Sequence, residues 1–206
     1  MNHRKAQFDL GLIYSNEKYC KPNIEKAIYY YTLSANQNYP QAQTNLGMLY
    51  ISNKNVKQDM QKGLHYLLLA SNQNEPISQC NLGIIYSKFD NIEHDINKAI
   101  YYYTLSADQN NDNAQYDLAL IYYEGKYISR DINKAIHYFL LAAYQNHIKA
   151  QFQLGKIYYE GRYISRDINK AIQYFSFAAN QNIQDALNYL GEIYANGEYV
   201  TRDIYK

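Results

Sequence analysis

The sequence predicts an all-α chain, a right-handed α–α superhelix or solenoid of 36-residue helical hairpins. Three observations carry this reading. The first is a fixed period: Leu10, Leu46, Leu82, Leu118, Leu154 and Leu190 stand 36 apart (46 − 10 = 36). Tyr14, Tyr50, Tyr86, Tyr122, Tyr158 and Tyr194 keep step. So do Gly11, Gly47, Gly83, Gly155 and Gly191, with Ala119 in the fourth copy. No insertion or deletion breaks the frame, and self-similarity of this kind marks a repeat architecture. The second observation is helical spacing inside each copy, and the third is a recurring set of cap and terminator residues. Together they predict one array with units at 6–41, 42–77, 78–113, 114–149 and 150–185 and a partial unit at 186–206.

The first helix of each unit carries small or apolar residues at i, i+4, i+7 and i+8, as in Ala150, Leu154, Ile157 and Tyr158. That is a helical stripe, not a strand alternation. Gly155 interrupts it at a cost of about 1 kcal/mol relative to Ala. Ala119 takes the same place, so the requirement is close helix approach, not backbone freedom. The helix stops at Gly161 or Gly197, where Gly takes the left-handed position after a helix. Glu17, Asn53 and Phe89 replace that Gly in the earlier copies and predict less defined turns.

The second helix starts at Asn23, Asp59, Asp95, Asp131, Asp167 and Asp203. These side chains accept hydrogen bonds from the free N–H groups of a first turn. A run of small-x-x-aromatic-x-x-x-small-small follows, as in Ala135, Tyr138, Ala142 and Ala143. The helix ends at Asn38, Asn74, Asn110, Asn146 and Asn182, because Asn tolerates the left-handed region best after Gly. Pro40 and Pro76 suit the first turn of the next helix.

This pattern resembles the Sel1-like repeat, a relative of the tetratricopeptide repeat. The fifth unit carries it most fully, as AQFQLGKIYYEGRYISRDINKAIQYFSFAANQN from Ala150 to Asn182. Asn182 replaces the family's terminal Gly, and the first three units lack its loop Gly. The resemblance covers nearly the whole chain. It implies a non-catalytic scaffold or adaptor that binds peptides or other proteins and holds no cofactor. It also leaves open an accessory array belonging to a larger regulatory protein whose catalytic domain lies elsewhere. Some secreted, cysteine-rich relatives are linked to β-lactam binding, but each of their repeats carries a disulfide pair that this chain lacks.

Composition agrees with a protein-binding role. Lys and Arg number 20 against 19 Asp and Glu, so the chain lacks the positive excess that nucleic-acid or anionic-membrane surfaces need. Hydrophobic residues make up 47%, enough for an ordered core. No stretch approaches the roughly 20 apolar residues of a membrane span. Cys20 and Cys80 fall at different repeat positions, which favours a reducing compartment and a cytoplasmic location.

The resemblance implies that the first helices line a concave side, and that face is the expected binding surface. One series there is Phe8, Thr44, Cys80, Tyr116, Phe152 and Asn188, and a second is Leu12, Met48, Ile84, Leu120, Lys156 and Glu192. Beside them run Asp9, Asn45, Asn81, Asp117, Gln153 and Tyr189. Apolar pockets beside side-chain amides suit an extended peptide or a partner helix. The competing reading is that these residues pack between adjacent first helices. The candidate partner-binding set is Phe8, Asp9, Asn45, Met48, Asn81, Ile84, Tyr116, Asp117, Leu120, Phe152, Gln153 and Lys156.

Catalytic and metal motifs are missing: there is no His-Glu-x-x-His, Cys-x-x-Cys, Gly-x-Gly-x-x-Gly or phosphate loop. His65 and His137 share a repeat position two units apart (137 − 65 = 72), too far for one metal ion at about 10 Å per stacking step. Glu124 and Glu160 share another, and repetition accounts for the pair without catalysis. Arg130, Arg166 and Arg202 read as solvated neighbours of the Asp caps. Cys20 stands where later copies have Ile128, Ile164 and Val200, and reads as a buried thiol. The last unit stops at Lys206, where a second helix is starting. That predicts either a longer array or ends that pair with another chain.

Overall fold

The computed structural model describes residues 3–19, 21–52, 54, 56–88 and 95–197. Asn53, Phe89, Cys20, Val200, Arg202 and Asp203, to which sequence expectations were attached, lie outside the described residues. Within them the chain forms helices only. In order these are α1 (Arg4–Ser15), α2 (Ile24–Ala35), α3 (Pro40–Ser52), α4 (Met60–Ser71), α5 (Pro76–Lys88), α6 (Ile96–Ala107), α7 (Asp112–Glu124), α8 (Ile132–Tyr144), α9 (Ile148–Glu160), α10 (Ile168–Ala179) and α11 (Gln184–Asn196). The first six belong to one compact unit, Met1–Gln109, and the rest to a second, Asn110–Lys206. In each unit every odd-numbered helix before α11 packs on the even-numbered helix that follows it.

The caps form as the residue types dictate. Asn23, Asp59, Asp95, Asp131 and Asp167 each accept from the backbone N–H three residues on, at 2.9–3.0 Å. The backbone N–H of Lys98 and of Lys170 are the main reason that the Asp95 and Asp167 carboxyls sit below their ordinary pKa. At the other end, Asn38, Asn74, Asn110, Asn146 and Asn182 all hold φ between 56° and 64°. Gly125, Gly161 and Gly197 hold φ near 61° after α7, α9 and α11. Without such a Gly, α1 ends on the extended residue Asn16.

The core is the seam of each hairpin. Leu46, Leu82, Leu118 and Leu154 are fully buried. Facing them, the second helices bury Tyr31, Leu67, Tyr103, Phe139 and Phe175. Phe139 is the core residue, and Tyr138 is half-buried on the adjacent flank, stacked on Tyr122 with centroids 6.2 Å apart. The stripe glycines serve close approach, as expected. A Cβ on Gly11, Gly83 or Gly155 would lie 2.5–2.6 Å from the ring of Tyr31, Tyr103 or Phe175.

Candidate functional site

The first-helix face is best followed one unit at a time. In the first unit Phe8 is half-buried, its ring tilted against Tyr31 at 5.9 Å and Tyr39 at 5.2 Å. Asp9 is exposed. Asn45 donates from Nδ2 to the Tyr31 hydroxyl at 3.3 Å. Met48, Asn81 and Ile84 are half-buried. Leu12, Asn45, Met48 and Leu49, with the hydroxyls of Ser15, Tyr31 and Ser52, line an open depression of about 340 Å³. Leu12, Met48 and Leu49 give it aliphatic surface, and the hydroxyls and the Asn45 amide give it polar surface, the chemistry that seats an apolar side chain and pairs with the backbone beside it.

Two residues of the Phe8 series do not reach this surface. Thr44 is 3% exposed and donates through Oγ1 to the buried Glu75 carboxylate at 3.0 Å. Cys80 is 5% exposed. In the first unit Thr44 and Cys80 therefore pack inward, and the depression is lined by residues of the neighbouring series instead.

In the second unit Tyr116 sits 5.8 Å from Phe139 and stacks on His147 at 4.6 Å. Burial raises the Tyr116 phenol pKa and lowers that of His147. Phe152 leans on Phe175 at 5.8 Å and Tyr189 at 6.0 Å, so both rings divide their area between core and surface. Asp117, Leu120, Gln153 and Lys156 are half-buried beside them.

Two repeated devices escaped the sequence analysis. Within each hairpin a second-helix Gln donates to a first-helix Gln 30 residues earlier: Gln37 to Gln7, Gln73 to Gln43, Gln109 to Gln79, Gln145 to Gln115 and Gln181 to Gln151. Gln43 and Gln151 also reach back 3.2 Å to the carbonyls of Ala35 and Ala143, tying successive hairpins together. The second device is a tyrosine pair on the opposite flank: Tyr14 with Tyr30, Tyr50 with Tyr66, Tyr86 with Tyr102, Tyr122 with Tyr138 and Tyr158 with Tyr174, all stacked within 10° of parallel. A lysine lies 4.3–5.3 Å over the first ring of every pair. The repeat register alone could have found both, had partners 30 and 16 residues apart been compared.

The arginines beside the caps also differ from expectation. Arg130 donates from Nε to the Tyr123 carbonyl and from Nη2 to that of Glu124, and Arg166 donates from Nε to that of Tyr159. They close the C-termini of α7 and α9, where a cation complements the helix dipole. His65 and His137 are exposed, each edge-on to the adjacent tyrosine. Among the described residues no group of three or more His, Cys, Asp or Glu could hold a metal ion, and no helix is long and apolar enough to cross a membrane.

Comparison with known proteins agrees with the geometry. The family described as Sel1 repeat matches residues 4–39, 40–75, 76–111, 112–147, 148–183 and 184–206. The structure is similar to that of a Sel1 repeat protein from Oxalobacter formigenes, at 29% identity and TM-score 0.85 over 96% of this chain and 80% of that one. It is similar to c5321, a protective antigen present in uropathogenic Escherichia coli strains, at 25% identity and TM-score 0.51 over 94% of this chain and 49% of that one. It also resembles Helicobacter pylori cysteine rich protein B, at 25% identity and TM-score 0.51 over 67% of this chain and 99% of that one. No curated protein sequence matches significantly. Sel1 repeat proteins are generally non-catalytic scaffolds for protein interaction. With six consecutive matches spanning residues 4–206, the chain belongs to the Sel1 repeat family.

Proposed function

We propose that the chain is a non-catalytic adaptor that binds a peptide or a partner helix on the exposed faces of its first helices. Phe8, Asp9, Asn45, Met48, Asn81 and Ile84 contribute in the first unit, and Tyr116, Asp117, Leu120, Phe152, Gln153 and Lys156 in the second. The observation that supports this most is the depression lined by Leu12, Asn45 and Met48, where aliphatic side chains stand beside amide and hydroxyl groups. Phe8, Tyr116 and Phe152 contribute only the ring edges that the core leaves open. The same reading has the protein act in the cytoplasm, supported by two cysteines without repeat spacing.

The test compares wild type with Met48→Glu and Leu120→Glu as baits in affinity capture, after circular dichroism shows all three folded. Both residues are half-buried, so a charge there disturbs a surface before it disturbs the seam. A discrete partner set held by wild type and lost by either variant supports the reading. The same set on all three baits moves binding off the first-helix face.

A further inference from the structure

The joints between successive hairpins bring two repeat positions together. One is the residue before a first helix. There His3, Asn111 and His147 accept from the backbone N–H three residues on, at 3.4, 2.9 and 3.2 Å, and Glu75 does the same for α5. The other lies on the first helix one hairpin earlier. Phe8 meets Tyr39 at 5.2 Å, Thr44 donates to Glu75 at 3.0 Å, and Tyr116 stacks on His147 at 4.6 Å. His147 therefore acts twice at one joint: its Nδ1 lone pair caps α9, and its ring covers Tyr116.

Both actions depend on one proton. Histidine is the side chain that ordinarily changes charge between about pH 5 and 8, and Tyr116–His147 is the one of these three pairs that contains it. Neutral imidazole offers Nδ1 as an acceptor, whereas imidazolium donates from both nitrogens. A protonated His147 cannot accept from the Ala150 N–H, so two donors would face each other. Its surroundings offer another partner. Asp112 and Asp117 on α7 favour the cation and Lys149 on α9 opposes it. The other helices that pack on α9 turn their charges elsewhere: Lys134 and His137 of α8 lie against Tyr122 and Tyr138, and Lys170 of α10 lies over Tyr158. Asp112 and Tyr116 are spaced i and i+4, so the carboxylate stands on the helix face that carries the phenol.

We propose that His147 is a proton-operated latch on the surface that Tyr116, Asp117, Phe152 and Gln153 share. Uptake of one proton moves the imidazole from the Ala150 N–H to the Asp112 carboxylate, unstacks Tyr116 and releases the first turn of α9. Those four side chains then change their presentation together, and partner binding through them weakens in acid. The depression of the first unit is lined by no histidine and keeps its shape. The effect on binding rests on the adaptor reading, whereas the latch itself does not.

Proton NMR of the 206-residue protein reads the latch with the proton as the only ligand. Five histidines titrate, and His147→Asn identifies one by its loss. The Tyr116 ring signals, assigned with Tyr116→Phe, and the Ala150 amide should shift with the midpoint of His147, below its ordinary 6.5. The ratio of unlatched to latched protein should change about tenfold per pH unit, as one-proton linkage requires. Asp112→Asn should move the midpoint further down. His147→Asn keeps a cap of the Asn111 kind, so it should fold and hold the Tyr116 signals still. The latch is overturned if the Tyr116 and Ala150 signals stay fixed while His147 titrates, or if they move equally in His147→Asn. In affinity capture, partners lost on Leu120→Glu should elute at about pH 5.5 from wild type and stay on His147→Asn. Equal elution from both baits overturns the effect on binding, and an empty wild-type bait counts against the adaptor reading alone.

Discussion

The second hairpin (α3 and α4) and the fifth (α9 and α10) fill the same seam with different side chains. In the fifth, the Phe175 ring enters the notch over Gly155, Ala171 lies beside it, and Tyr159 meets the ring edge-on at 6.3 Å. In the second, the ring is replaced by Leu67. Gly63 replaces the alanine, and the buried Ile51 fills the volume that both changes vacate. The two backbones then come together directly: a Cβ on Gly47 would lie 2.9 Å from the Gly63 carbonyl oxygen. The first and third hairpins use a further solution, with Ser15 and Ser87 within hydrogen-bond distance of the Tyr31 and Tyr103 hydroxyls at 3.0 and 3.3 Å. The fold constrains the summed volume and polarity of three positions, not the residue at any one of them.

Truncation tests that contrast most severely. Phe175→Ala should cost about 3–5 kcal/mol and Leu67→Ala about 2–5 kcal/mol in urea titrations, with the aromatic loss the larger. Equal costs would mean that the ring carries no more of its seam than the leucine does.

Gly63→Ala comes next, because its Cβ would strike Ile51 and approach the Gly47 carbonyl oxygen to 2.8 Å. Overpacking of this kind costs about 1–3 kcal/mol. Gly155→Ala should stay within about 1 kcal/mol of wild type, since Ala119 already faces Phe139 in the fourth hairpin and Ala gains helix propensity.

The caps should not distinguish the two hairpins. Asp59→Ala and Asp167→Ala make the same backbone bond and should each cost about 1 kcal/mol by thermal melts.

The smallest effect separates the hairpins by pH. His147 enters the fifth hairpin, accepting through Nδ1 from the Ala150 N–H at 3.2 Å, and Tyr39 stands at the corresponding place before the second. Burial lowers the His147 pKa below its ordinary 6.5, against opposing pulls from Asp112 and Asp117. The unfolded chain therefore binds the proton first, so stability is complete above about pH 6.5 and declines as pH falls below it. Hydrogen-exchange protection factors across α9 should fall over that window, and His147→Asn should flatten the response.

Much of this was legible in the sequence. The period, the Asp and Asn caps, the Asn and Gly terminators and the glycine notch each rest on a local rule, and the structure meets each where it describes the residue, except at Gly191, where a Cβ would meet nothing within 4 Å. Tyr138 and Phe139 are neighbours on the wheel and both aromatic, so the motif leaves open which of them is the core ring. Only the crossing of the two helices decides which ring enters the seam. Thr44 and Cys80 read as surface because a helix in a stacked array has two buried flanks, and periodicity marks just the stronger. The glutamine pairs stayed hidden because Gln reads as a surface residue until its partner is placed.

Those glutamines have a consequence for solution behaviour. An amide pair carries no net charge, so added salt does not screen it and acid does not protonate it. The contacts that hold the two helices of each hairpin in register are thus indifferent to ionic strength, while the aspartate caps and their lysines are not. Raising salt should fray the starts of the second helices and leave the seams intact.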